Sequence, residues 1–367
     1  MFKDFKSLLN INWIYFFLLL IIFWIGEINL YSAAGGDLEP WAISQLKRFI
    51  IFLPIVFFIL LLQPKFIFNF TELILIAVML GLLITLVFGY TGMGAKRWIR
   101  VGGFNLQVSE FAKISLVIFM AKYFHKLNAQ KTIGLIRSII PLLISLALFL
   151  LVAAQPDLGT ALIILILGLV AIFYAGIKLI YPLLSLILIA LVSPFLWTLL
   201  KPYQQNRIMI FLNPDLDPLG KGYHIIQSKI AIGSGGLNGN GFLEGSQSSL
   251  DFLPEKETDF VFAIFSEQFG FTGSLILILI FLIFFLIPIF KTFKLTQLFN
   301  KIILFVLSFK IFFEFLINVS MTIGLLPVVG VALPFMSYGG SSLLSNMIIC
   351  ALLMNLMSVE EKKRMFS

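Results

Sequence analysis

Charge and sulfur are both scarce in this chain. Only 12% of its 367 residues are charged, and it has two histidines, His125 and His224, and one cysteine, Cys350, which lies in an apolar run. A single cysteine can form neither an intramolecular disulfide nor a cysteine metal cluster, and two histidines are too few for a histidine-rich site. The sequence therefore excludes a disulfide framework, a cysteine metal cluster and a histidine-rich metal site.

Apolar residues make up most of what is present. The chain is 60% hydrophobic, with a mean hydropathy of +1.05. A soluble domain cannot bury that much apolar surface, so the composition predicts a polytopic membrane protein. The net charge of +8 does not indicate nucleic acid, because basic residues crowd the cytoplasmic ends of membrane helices.

The apolar residues fall into long runs. A bilayer core of about 30 Å needs about 20 residues per helix. On this basis we predict an all-α integral membrane protein, a single polytopic domain over residues 1–367, with about ten transmembrane helices. The predicted spans are 11–31, 46–62, 72–90, 108–124, 138–154, 158–175, 177–198, 259–288, 302–324 and 341–358. The first run is too long for a signal-peptide core and is predicted to be retained.

The basic residues predict the orientation. With a cytoplasmic N-terminus, the inner segments hold fourteen Lys and Arg residues, and the short outer loops hold five: Lys47, Arg48, Lys96, Arg97 and Arg100. This excess predicts that both termini are cytoplasmic. Residues 199–258 then form one large structured extracytoplasmic loop, with a short helix at about 223–232. Its glycine-rich turn at 233–241 is either flexible or lets the backbone approach a phosphate or sugar.

Asp259 lies at the boundary between this polar loop and the next apolar run. The segment 252–260 places several carboxylates at that boundary. A carboxylate there could act on a lipid-borne substrate whose reactive head lies at the membrane surface. The alternative is a carboxylate at the start of a helix that carries no chemistry.

Other charged residues lie within the apolar runs, where they must face an interior or a cavity. Glu110 and Lys113 are three residues apart, so they share a helix face as an ion pair that either joins two helices or lines a polar cavity. Lys310, Glu314 and Asn318 form an i, i+4, i+8 stripe, which favours contacts between helices.

Four further residues are candidates for the outer site. Glu267 follows Asp259 by eight residues, so both can face one cavity. Asp157 either caps the sixth predicted helix or supplies a second carboxylate above the cavity. Arg48 and Arg207 are outer cations that either bind phosphate or are simply solvated.

The segment 324–342 has no charge and is rich in glycine and proline. Such a sequence predicts a re-entrant or tightly packed outer loop. Irregular backbone at membrane depth must be buried in protein or line a cavity.

These segments together resemble the shape, elongation, division and sporulation (SEDS) family of membrane glycosyltransferases, over nearly the whole chain. Within that family the chain is more similar to the elongation branch than to the division branch. One departure is Val108, where the family usually has proline. The valine would loosen the start of the fourth helix. The matching segments are 94–99, 107–113, 155–160, 206–207, 222–228, 252–255 with 258–260, and 334–342.

The resemblance implies a peptidoglycan glycosyltransferase in the bacterial cytoplasmic membrane that polymerises lipid II on its outer face. It implies as partners a class B penicillin-binding protein, which is a transpeptidase, and other elongation-complex proteins. It also implies that Asp259 is essential and that Glu110, Lys113 and Asp157 belong to a central cavity. The rival hypotheses are a lipid II flippase that makes no bond and a scaffold for the transpeptidase.

The implied reaction needs a base for the attacking sugar hydroxyl, and Asp259 is the candidate. Arg48, Arg207 or Lys113 could stabilise the leaving diphosphate, and Asp157 with Asp259 could hold a divalent cation such as Mg²⁺ or Mn²⁺. A helix N-terminus would lower the pKa of Asp259, whereas burial or a neighbouring glutamate would raise it. The sequence leaves that competition open.

Overall fold

The computed structural model describes residues 11–92, 95–102, 104–127, 134–178, 180–200, 202–217, 220–245 and 253–359. Its described part is mainly helical. The helices are α1 Trp13–Ala33, α2 Ala42–Leu61, α3 Pro64–Asn69, α4 Thr71–Phe88, α5 Val108–Lys126, α6 Leu135–Ala153, α7 Leu158–Tyr174, α8 Ile180–Leu199, α9 Pro202–Leu212, α10 Lys221–Ser234, α11 Val261–Thr292, α12 Leu298–Thr322 and α13 Gly340–Met357.

Each of the ten predicted runs contains one of these helices. Seven described helices are long and apolar enough to cross a bilayer, and α7 is a shorter apolar helix. Large apolar side chains such as Phe17, Leu73 and Leu150 are exposed on the outer faces, as expected for surfaces in contact with lipid. The protein is therefore a multi-pass membrane protein, and the count of ten spans stays a prediction.

The polar helices lie inside the bundle. α5, α12 and α13 are buried on most of their faces, and α12 packs against α5, α7, α11 and α13. A helix that is buried all round meets protein on every side, so its charged side chains must find partners within the bundle.

A small antiparallel sheet precedes α5, and the all-α prediction omitted it. Its strands are β1 Tyr90–Gly92, β2 Ala95–Val101 and β3 Phe104–Leu106, in the order β1-β2-β3. Ile99 pairs with Leu106 across β2 and β3. From its sequence this segment is a basic outer loop that includes the matching residues 94–99. Strands this short give little periodic signal.

The glycine-rich turn packs against a break in α11. Gly270 interrupts the helix with φ +65°, and the amide of Phe271 donates to the carbonyl of Gly236 at 2.9 Å. A Cβ at Gly239 would lie 2.0 Å from the carbonyl oxygen of Gln268. These glycines therefore let the backbone of the turn pack closely against α11. The helix predicted at about 223–232 is present as α10, and α9 is a second helix in the same loop.

The two ends of the bundle are distinct. α5 begins at Val108, which packs against Gly81 despite the missing proline. Gln107 lies at this end, whereas Lys122, near the other end of α5, pairs with Glu72 at the start of α4. The orientation with both termini inside stays a prediction. Gly94 and Phe252 of the matching segments lie outside the described residues, as do the predicted inner cations Lys3, Lys6, Lys131, Lys362, Lys363 and Arg364.

Candidate active site

A tight turn places Asp259 just before α11. Glu255 has a positive φ of 52°, and its carbonyl oxygen accepts hydrogen bonds from the amides of Thr258, Asp259 and Phe260 at 3.1, 3.1 and 3.3 Å. The turn thus pairs these three amides before α11 begins. As a result Asp259 stands two residues before Val261, the first residue of α11.

The backbone of residues 257–259 is held from outside the turn. All three carbonyl oxygens accept a hydrogen bond from α12 or from the loop that follows it. The donors are the Tyr338 amide to Glu257 at 2.8 Å, the Ser337 hydroxyl to Thr258 at 2.6 Å and the Asn318 side-chain amide to Asp259 at 3.0 Å. Asn318 therefore binds loop backbone and is not a contact between two helices.

The loop between α12 and α13, residues 323–339, is packed into the protein in its second half, from Val331 to Ser337, whereas Leu325 and Leu326 in its first half are exposed. Leu333 and Met336 are buried, and the Ser337 hydroxyl accepts from the Leu333 amide at 2.8 Å. Gln45 on α2 donates to the carbonyl of Ser337 at 2.8 Å and accepts from the amide of Gly339 at 3.2 Å. These contacts confirm the predicted tight packing for the second half of the loop only.

The surroundings of Asp259 settle the direction of its pKa. The side chain is half-buried, and burial together with the neighbouring Glu255 carboxyl raises its pKa to about 7. The positive charges of Arg97 and Arg207 act in the opposite direction but are outweighed. The direction is the one expected from burial or a neighbouring glutamate.

Arginines from two separate elements lie near Asp259. Arg97 comes from β2 and Arg207 from α9, and in each the buried Nε has no hydrogen-bond partner among the described residues. Arg48 lies over the Tyr338 ring, 4.5 Å from its centroid, and donates to its hydroxyl at 2.8 Å. The sequence analysis did not select Arg97 as a site residue, although it lies in the matching segment 94–99.

The two predicted charge groups form one buried network across α5, α12 and α13. Lys113 contacts the carboxylates of Glu110 at 2.7 Å and Glu314 at 2.6 Å, and Lys310 contacts the other oxygen of Glu314 at 2.7 Å. All four residues are at most 8% exposed. Two further bonds complete the network: Ser345 to Glu110 at 2.8 Å and Lys310 to Asn346 at 2.7 Å.

Asp157 is the N-cap of α7. One of its oxygens accepts from the Thr160 amide at 3.3 Å, and the other accepts from the Gln107 side chain at 2.8 Å. The cap alternative is thus confirmed. Gly159, in the first turn of α7, lies against the 323–339 loop. A Cβ at this position would lie 2.9 Å from the carbonyl oxygen of Val329.

Glu267 lies fully buried beneath the glycine-rich turn. Its carbonyl accepts from the Asn240 amide at 3.0 Å, and a Cβ at Gly235 would lie 3.1 Å from its Cα. Asp259 precedes α11, and Glu267 lies six helical residues beyond Val261, ~9 Å further along the axis. Its backbone contacts are with the turn, whereas Glu255, Arg97 and Arg207 are the charges that act on Asp259.

Known proteins resemble this chain over most of its length. Residues 8–362 match the family described as the FtsW, RodA and SpoVE cell cycle proteins. The peptidoglycan glycosyltransferase MrdB of Escherichia coli (strain K12) is 39% identical over 281 residues, covering 76% of this chain and 75% of MrdB. The peptidoglycan glycosyltransferase RodA of Treponema pallidum (strain Nichols) is 35% identical over 358 residues, covering 78% and 82%. Proteins named FtsW match as well.

A solved structure shares the fold. It is a chain of a peptidoglycan synthase complex that coordinates polymerization and crosslinking, with a TM-score of 0.81 and 30% identity over 95% of this chain and 97% of that chain. The sequence match and the shared fold agree with the family expected from the motifs. This chain belongs to the FtsW/RodA/SpoVE family of cell cycle proteins, also called the SEDS family, and is of the RodA type.

Proposed function

We propose that this protein polymerises lipid II at the outer face of the bacterial cytoplasmic membrane, with Asp259 as the general base. The chain is a peptidoglycan glycosyltransferase, as its family and its relatives establish, and the elongation role fits its RodA type. One observation supports the role of Asp259 above all. Its pKa of about 7 suits a group that must take up a proton near neutral pH.

The reaction needs one displacement. A sugar hydroxyl of one lipid II attacks the anomeric carbon of another, and its proton passes to the Asp259 carboxylate. The bond from that carbon to the diphosphate breaks, and its electron pair leaves with the lipid diphosphate. The α-linked substrate and the β-linked product differ by a single inversion, so no covalent intermediate with the enzyme is required.

Arg97 and Arg207 are the best placed to stabilise the departing diphosphate. Both lie close enough to affect the pKa of Asp259, and the Nε of each lacks a partner among the described residues. Arginine binds phosphate through paired N–H groups. Arg48, bound to Tyr338, is a third candidate. Lys113, in contrast, is already held by two carboxylates.

A divalent cation, Mg²⁺ or Mn²⁺, stays a proposal, and no step is assigned to it. The predicted ligand pair of Asp157 and Asp259 would supply only two carboxylates, and Asp157 is already held by the Thr160 amide and the Gln107 side chain. Within the described ranges, no group of three or more His, Cys, Asp or Glu side chains could hold a metal. Polymerisation unaffected by a chelator would remove the cation from the proposal.

A class B penicillin-binding protein is the proposed partner, together with other elongation-complex proteins. The structurally similar chain belongs to a synthase complex that coordinates polymerization and crosslinking, which supports a transpeptidase alongside this protein. A multi-pass glycosyltransferase acting on a lipid-linked sugar also fits the proposed location in the cytoplasmic membrane.

The test is polymerisation of labelled lipid II by the purified protein, with and without the partner transpeptidase. We expect glycan strands from the wild type and none from Asp259→Asn, since the amide cannot take the proton. The matched control is Asp215→Asn, an exposed acid in the same outer loop, which should retain full activity. Strands from Asp259→Asn would remove this residue from the mechanism, and no strands from the wild type would favour the flippase.

A further inference from the structure

We propose that Asn318 is a positioning residue for the reaction, which holds Asp259 and the loop beside it in place from α12. This inference rests on the proposed role of Asp259. Asn318 is fully buried. Its side-chain amide donates to the carbonyl of Asp259 at 3.0 Å and to the carbonyl of Val331 at 2.8 Å. One side chain thus joins the turn that carries the base to the loop that covers it.

The covering loop lies directly against the carboxylate. Gly330 has a φ of +75°, and a Cβ at this position would lie 3.4 Å from Oδ2 of Asp259. Val331, the next residue, is the one that Asn318 binds. Asn318 is the α12 side chain that binds the Val331 carbonyl in the part of the chain that the structure describes. Releasing this bond would loosen the loop beside the half-buried carboxylate and admit more water.

The helix that carries Asn318 is firmly anchored. Glu314, one turn earlier, binds both Lys113 and Lys310 in the buried network. Two hydrogen bonds from one amide fix its plane, so Asn318 can transmit the position of α12 to Asp259. Displacements of about 1 Å at a catalytic group can cost about 100-fold in rate.

The charged groups that act on Asp259 come from three elements: Glu255 in its own turn, Arg97 on β2 and Arg207 on α9. Burial raises the pKa of Asp259 more than any of them. Loss of the Asn318 bonds should therefore lower that pKa, because water would stabilise the ionised form. The acid limb of the pH–rate profile reports this change in pKa. A purely structural defect would lower the rate without moving that limb.

The experiment compares Asn318→Leu with wild type in the lipid II polymerisation assay, using the full-length protein with its partner transpeptidase. Leucine keeps the branching and the number of side-chain heavy atoms of asparagine and removes the donor. We expect kcat to fall by about 10- to 100-fold with KM within about twofold, and the acid limb to move down by about one pH unit.

Asn355→Leu is the matched control. Asn355 is a fully buried asparagine on α13 whose amide also donates to backbone carbonyls, those of Ile59, Leu60 and Leu62, at the other end of the bundle. Its replacement should lower thermal stability and leave the acid limb unchanged. An equal pH shift in this variant would overturn the inference, since the shift would then report general loosening.

A wild-type kcat and pH profile in Asn318→Leu would also overturn the inference. If that variant does not accumulate, Asn318→Ser replaces it, because the shorter side chain cannot bind both carbonyls. A smaller change in the same direction is then expected, and an unchanged profile would refute the positioning role. Failure of the proposed function can be told apart from failure of this inference. It would appear as glycan strands made by Asp259→Asn, or as no glycan strands made by the wild type.

Discussion

Replacing Lys113 with methionine tests the buried charge network most directly. The four charges of Glu110, Lys113, Lys310 and Glu314 balance formally, and Lys113→Met leaves two carboxylates facing one ammonium. Lys113 makes two contacts with carboxylates, at 2.7 and 2.6 Å, and its side chain is 2% exposed. A hydrogen bond to a charged group contributes about 1.5–3 kcal/mol, and removing one partner of a buried ion pair costs about 3–5 kcal/mol. We therefore expect the free energy of unfolding to fall by about 3–5 kcal/mol.

The assay is unfolding of the purified protein in detergent, with two comparison variants. Lys126→Met removes an ion pair with Glu72 whose atoms are 3.9 Å apart and whose side chains are 62% and 51% exposed, so it should cost less than about 1 kcal/mol. Lys113→Met combined with Glu110→Gln restores the charge balance. This double variant should regain at least about 1 kcal/mol over the single one, because the two residues interact directly.

A loss in Lys113→Met no larger than in Lys126→Met would refute this reasoning. It would mean that water reaches the network and screens the charges. The balanced double variant also separates structure from function. We expect it to insert in the membrane but to lose polymerisation, whereas retained activity would reduce Glu110 and Lys113 to contacts between helices.

Two further predictions concern the pKa of Asp259 and the N-cap of α7. Asp259 acts as a base only when it is ionised. With a pKa of about 7, roughly half of the side chains are ionised at pH 7 and roughly a tenth at pH 6. The rate should therefore rise with pH and level off above pH 7. Glu255→Gln removes a negative neighbour and should move this acid limb to lower pH, whereas Arg97→Gln should move it to higher pH. If neither variant moves the limb, the pH dependence does not report the titration of Asp259. Asp157→Asn keeps the cap of α7 and should retain its thermal stability, whereas Asp157→Ala should lose about 1 kcal/mol. Equal melting temperatures would contradict the capping role.

Much of this architecture follows from local sequence. Ten apolar runs predicted ten helices in place, because the length of an apolar segment is a local property that the bilayer selects. The same holds for α10 and for the packed second half of the loop 323–339, whose glycines and prolines and lack of charge are readable directly. The sheet β1–β3 was missed, since its short strands depend on pairing with one another.

The sequence also placed Asp259 at the boundary of the last polar loop and identified the charged residues within the apolar runs. It could not join Glu110 and Lys113 to Lys310 and Glu314, because these pairs lie about 200 residues apart and meet only when α5 packs on α12. The pKa of Asp259 was likewise undecided, since burial, Glu255 and two arginines from distant elements compete there. Spacing along the chain determines which residues share a helix face. Packing alone decides what that face meets, and with it whether a charge is paired, buried or free to accept a proton.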